Sequence, residues 1–113
     1  MNGTELIQKE RKRQIESEGW SAKHDSKHTD ASLALAAVCY AAPGRLFVRK
    51  DYANGPAFED PWPESWEERH DKREFDGNVL IPNEKLPKKQ RIRNLVKAGA
   101  LIAAEIDRLS HKE

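Results

Sequence analysis

The stretch Pro87–Leu109, PKKQRIRNLVKAGALIAAEIDRL, decides the reading of the fold. Ile92, Leu95, Val96, Gly99, Ile102, Ala103, Ile106 and Leu109 recur in steps of three and four, the period of one α-helical face. Lys88, Arg91, Asn94, Lys97, Glu105 and Arg108 fall on the opposite side. Pro87 suits the first helical turn, where its missing N–H costs nothing. Gly99 costs about 1 kcal/mol relative to Ala inside a helix. Its place on the apolar stripe predicts close approach of another helix as compensation. The expectation is a long core helix whose Ile92–Leu109 stripe faces inward.

Outward from this helix, the 113 residues suit one domain, 1–113, with a small core. Lys and Arg number 20 against 19 Asp and Glu, so net charge favours neither nucleic acid nor a membrane surface. The lone Cys39 excludes an intramolecular disulfide and a cysteine zinc cage. A single thiol and the lack of a signal peptide or a long apolar run predict a cytoplasmic protein.

Residues 3–18 read as a first helix with an inner face of Leu6, Ile7, Gln14 and Ile15, covered by the Arg11 stem. Asn2 and Glu5 form a capping pair, and Gly19 ends the helix ahead of Trp20, a core anchor. Residues 21–30 are polar and turn-like, with Thr29 or Asp30 capping the next helix. Residues 31–42 form that helix. It is apolar nearly all round, which predicts burial on two sides and a homodimer interface through Ala31–Ala42. Pro43-Gly44 stops it. Residues 45–80 read as an insertion: a small hairpin or an ordered loop turning at Ala53–Pro56, a short helix over 64–73, a turn at Asp76-Gly77, and Val79–Ile81 tucked under the core. The fold class is mainly α, a small helical domain with one long C-terminal helix.

Several motifs carry candidate chemistry. His24 and His28 would share one face of a helical turn and could hold a metal with Asp30, but no zinc signature is completed. Asp25 as a turn cap, with the histidines packed on Trp20, is the preferred reading, so no metal or cofactor is assigned. Glu10, Arg13 and Gln14 lie on one side of the first helix and, facing His24 and Asp25, would form a polar cluster at the core rim. Alternatively they are a solvated face worth little. Lys88, Lys89, Arg91 and Arg93 stand where the helix dipole favours acids, and a bound phosphate or carboxylate would relieve that conflict. Trp62, between two prolines, is a candidate ligand wall, although filling the core is the commoner use of such aromatics. Glu64/Glu67 and Glu68/Asp71 have the spacing by which all-α nucleotide pyrophosphohydrolases hold magnesium, as does no pair on the two long helices. Glu105 and Asp107 also invite an enzyme reading. No nucleophile constellation or phosphate loop is present in the sequence.

ERKRQ at Glu10–Gln14, EGW at Glu18–Trp20, HDxxH at His24–His28, AxxYA at Ala37–Ala41, PWP at Pro61–Pro63 and LVKAGALIAAEIDRL at Leu95–Leu109 resemble a family of small bacteriophage and prophage proteins. The likeness thins over 45–60 and 67–82. A second, fainter similarity is to the ryanodine-receptor repeat (RyR) domain, carried by QIESEGW at Gln14–Trp20 and LIPNEKLP at Leu80–Pro87. The chain departs from that pattern by placing the 31–42 helix between the two motifs. These resemblances imply an RyR-like helical fold and a non-enzymatic phage accessory protein binding a small anionic, nucleotide-derived ligand. The implied ligand residues are Glu10, Arg13, Gln14, Trp20, His24, Asp25, His28, Trp62, Arg91 and Arg93. The implied role is to blunt host defence signalling, with no membrane or specific nucleic-acid partner. The alternatives are a dimeric module that binds a host protein and a metal-dependent nucleotide pyrophosphohydrolase.

Overall fold

The structure is a computed structural model that describes residues 1–18, 31–63, 66 and 71–110. Among these residues the architecture is mainly helical with little β-structure: α1 Gly3–Glu18, α2 Ser32–Ala41 and α3 Lys88–Ser110, with two small antiparallel hairpins between α2 and α3. The Gly19 helix stop, the Trp20 anchor, the polar segment 21–30 and most of the expected 64–73 helix lie outside the described residues. Asp71–Arg73 within that last span are not helical.

Helix α1 starts as the sequence predicts. The Glu5 backbone N–H donates to Asn2 Oδ1 at 2.9 Å, and the Asn2 N–H donates to Glu5 Oε1 at 3.2 Å, a reciprocal cap. Its inner face is more polar than expected. Glu10, Arg11 and Gln14 are buried, Leu6 and Ile7 are half-buried, and Ile15 is exposed.

Helix α2 buries Leu33, Ala36, Ala37 and Tyr40 against Ala98, Leu101 and Ala104 of α3. The small residues let the two helices approach closely, which is how so short a chain builds a dense core. Leu35 and Val38 remain exposed, so α2 is buried over one broad side that also includes Ser32 and Cys39. Entry into the helix is through Ala31 in the left-handed conformation (φ 60°), with no side-chain cap.

The hairpin β1 Val48–Tyr52 and β2 Gly55–Glu59 forms where the turn signal placed it, in the register Val48↔Glu59 to Tyr52↔Gly55. The second hairpin, β3 Phe75–Asp76 and β4 Val79–Leu80, turns through Gly77 at φ 63°, a conformation glycine adopts without cost. Val79 is exposed rather than tucked under the core, and Leu80 and Ile81 are half-buried. A 3₁₀ turn, Asn83–Lys85, then delivers the chain to α3.

The principal correction concerns α3 itself. The stripe expected to face the core is largely in solvent: Ile92, Leu95, Ile102, Ile106 and Leu109 are between 45% and 69% exposed. The buried residues are Asn94, Val96, Ala98, Ala100, Leu101 and Ala104. Asn94 and Lys97, read as part of an outer face, lie on the side packed against α2, and Arg108 is half-buried in its pair with Glu105. The physical reason is that α3 has three apolar or small-residue sides rather than one. The alanine-rich side takes α2, and the side bearing Val96 and Gly99 takes α1. Gly99 does permit close approach: a Cβ there would sit 2.5 Å from Ile7 Cδ1 of α1. No helix among the described residues is long and apolar enough to cross a membrane.

Candidate functional site

The middle of α1 and the N-terminal part of α3 flank a groove of about 610 Å³ lined by Leu6, Lys9, Glu10, Arg13, Lys89, Gln90, Ile92, Arg93 and Val96. Leu6, Ile92 and Val96 make its floor apolar. Lys9, Arg13, Lys89 and Arg93 supply four cations around one buried carboxylate. The volume falls in the range of small-molecule pockets, and an apolar lining with a few convergent polar groups is their usual character.

Glu10 organises the polar end. Its side chain is 2% exposed, yet it receives Arg13 Nε at 2.9 Å, Arg13 Nη2 at 2.8 Å and Arg93 Nη1 at 2.9 Å. Gln14 Nε2 adds a longer contact to the same carboxylate at 3.4 Å. Burial opposes ionisation of Glu10 and is the largest single influence. The hydrogen bonds and charges of Arg13 and Arg93 together outweigh it, and hold the carboxyl below its ordinary range. The arginine side chains stay 41% and 48% exposed, so their outer surfaces face the groove mouth. Two guanidiniums on one carboxylate leave a net positive charge, which Lys9 and Lys89 raise further. This arrangement can take an anion with an apolar body.

Of the residues singled out in sequence, Glu10, Arg13 and Arg93 meet here, with Gln14 behind them. Arg91 points elsewhere, beside the exposed stripe of α3, and does not line the groove. Trp20, His24, Asp25 and His28 lie outside the described residues, as do Glu64, Glu67 and Glu68 of the spaced carboxylates. Among the described residues no three His, Cys, Asp or Glu side chains converge as a metal site. Glu105 is paired with Arg108, and Asp107 with Arg11 at 3.3 Å. Lys89, named with the basic start of the long helix, lines the groove, whereas Lys9 and Ile92 were missed as groove residues. Their signal in sequence was the basic run of Lys9, Arg11, Lys12 and Arg13 for the one and the apolar stripe for the other.

Trp62 does not line the groove; it belongs to a separate aromatic cluster packed against the α2–α3 core. It packs edge-on against Tyr40 and Trp66, each at 5.7 Å between ring centres. The Arg73 guanidinium lies 4.7 Å over its ring and is held by Asp71 at 2.7 Å and Asp60 at 3.2 Å. Those two carboxylates keep Arg73 firmly protonated despite burial. Burial pushes the neighbouring Cys39 thiol up to about 11, so it is inert at neutral pH. Tyr40 Oη accepts the Lys72 backbone N–H at 2.8 Å, anchoring the same segment. Comparison with protein-family models, with curated proteins and with solved structures gives no match.

Proposed function

We propose that this protein is a non-enzymatic binding protein whose α1–α3 groove takes a small amphipathic anion of the nucleotide class. The observation that carries the reading is the buried Glu10 carboxylate holding Arg13 and Arg93 at the mouth of an apolar groove. Guanidiniums fixed in this way lose little freedom when they bind a phosphate, and the apolar floor of Leu6, Ile92 and Val96 offers a face for a base. The resemblance to small phage and prophage proteins, and the fainter one to the RyR domain, extend the proposal to sequestering a signalling nucleotide of the host.

The test is a thermal-shift panel of mono-, di- and cyclic nucleotides against the purified protein, with and without magnesium. A ligand at about 100 times its dissociation constant stabilises the fold by roughly 2.7 kcal/mol. The double variant Lys9→Ser/Lys89→Ser removes two exposed cations, leaves Glu10 paired, and is expected to weaken binding at least tenfold with the unliganded melting temperature unchanged. A panel without any shift sinks the reading. Magnesium-dependent turnover of a nucleotide would replace it with the hydrolase.

A further inference from the structure

Ile92, Leu95, Gly99, Ile102, Ile106 and Leu109 are spaced three, four, three, four and three residues apart, the a/d period of a coiled-coil seam. On a helix of 3.6 residues per turn this seam and the faces packed on α1 and α2 divide the circumference into sectors roughly 120° apart. Two sectors are covered. The third presents five large aliphatic side chains over about 26 Å of helix. They amount to on the order of 500 Å² of apolar surface, at the upper end of what monomers leave exposed.

We propose that the third face of α3 is covered by the same face of a second copy of this chain, running antiparallel. Charge and register both select this occupant. Residues 88–97 carry Lys88, Lys89, Arg91, Arg93 and Lys97 with no acid, whereas the other end carries Glu105, Asp107 and Arg108. A parallel pair would set the two basic ends side by side. An antiparallel pair separates the two basic ends and sets each beside the far end of its neighbour, where Glu105 is paired with Arg108 and Asp107 with Arg11. With the two-fold axis between Gly99 and Ile102, Ile92 stands opposite the partner's Leu109, Leu95 opposite the partner's Ile106, and Gly99 opposite the partner's Ile102. Every layer joins an a position to a d position. Arg91 then flanks the seam on the side of the partner's Glu105. Gly99 is already packed by Ile7 of α1, so this layer sets the partner's Ile102 against Ile7. Ile92 also lines the groove, so the partner's Leu109 walls its open edge and each groove is completed by the other chain. The pairing stands on α3 alone and does not depend on the nature of the ligand.

Sedimentation or light scattering of the full chain at tens of micromolar tests the pairing. The expected mass is twice 12.9 kDa. Ile102→Glu/Ile106→Glu places charges on side chains already half exposed, so each chain keeps its fold while the dissociation constant rises more than roughly a hundredfold. Orientation is read from disulfides. An Ile92→Cys chain mixed with a Leu109→Cys chain is expected to cross-link, and Leu109→Cys alone is not. The buried Cys39 does not compete. A monomer at these concentrations, a dimer indifferent to the two glutamates, or ready cross-linking of Leu109→Cys with itself each overturns the proposal.

Discussion

Glu10 is the residue on which the groove turns, and its ionisation should be visible in stability. Its folded-state affinity for a proton is lowered relative to an ordinary glutamate of 4.5, chiefly because Arg13 and Arg93 prefer the carboxylate strongly enough to overcome burial. The unfolded chain therefore binds a proton more readily than the folded one. The stabilisation is fully present above pH 4.5 and is lost as pH falls through the lower folded value. Glu10→Gln keeps the shape and abolishes the charge. It should cost about 1–3 kcal/mol at pH 7, because two partly exposed guanidiniums lose the negative charge and one of its two acceptor oxygens. Its stability should then fall less steeply than that of the wild type as pH is lowered from 7 through and below 4.5. Denaturant midpoints of the two proteins across that range decide the matter, and parallel profiles would remove Glu10 from its organising role. The ERKRQ run pointed to this residue, but not to Arg93 as its partner. That pairing joins residues 83 apart in sequence and depends on where α1 crosses α3. Gly99 was more legible, since a glycine on an apolar stripe has a narrow set of uses; here it admits Ile7.

Elements of this fold are held in place by a few buried polar bridges that no periodicity reveals. Asn83 Nδ2 donates to the Tyr40 and Ala42 carbonyls, both at 2.7 Å, while Asn94 Nδ2 donates to Asn83 Oδ1 at 2.6 Å. These bonds satisfy carbonyls that the end of α2 would otherwise leave open, and they tie α2, the 3₁₀ turn and α3 at one point. The Glu84 N–H adds a bond to the Pro43 carbonyl at 2.8 Å. Asn83→Ala removes three hydrogen bonds and strands a half-buried helix end. The expected loss is about 2–3 kcal/mol in chemical denaturation, with Asn94→Ala adding little on top because it shares the same network. Fully additive losses would show that the two amides act independently. Sequence reading placed Asn94 on a solvent face because an isolated polar residue in a helix usually points outward. Only the chain's return beside the end of α2 makes an inward asparagine favourable. The hairpin β1–β2 was easier to foresee, since Ala53–Pro56 is a local signal that needs no tertiary partner.

For the molecule as a whole, the misassigned face of α3 is instructive. Hydrophobic periodicity reports which residues require cover, not which chain supplies it. The Ile92–Leu109 stripe was legible as a face needing burial. Within one chain, the alanine-rich side takes the available helices instead, because Ala98, Leu101 and Ala104 let α2 approach more closely than a ridge of isoleucines would. The resulting body measures 42 × 38 × 20 Å, about two helix layers deep, and the aliphatic ridge lies along its open side. If a second copy covers that ridge, folding and association share one equilibrium, and thermal stability must depend on chain concentration. Above the dissociation constant, each tenfold rise in concentration contributes about 1.4 kcal/mol per dimer. For a pair of chains this size, that corresponds to a rise in melting temperature of roughly 3–5 °C. Ile102→Glu/Ile106→Glu should flatten the dependence while preserving a cooperative transition, because the α1–α3 and α2–α3 contacts remain. A wild-type melting temperature that stays constant across two decades of concentration would mean that α3 keeps its third face open to water.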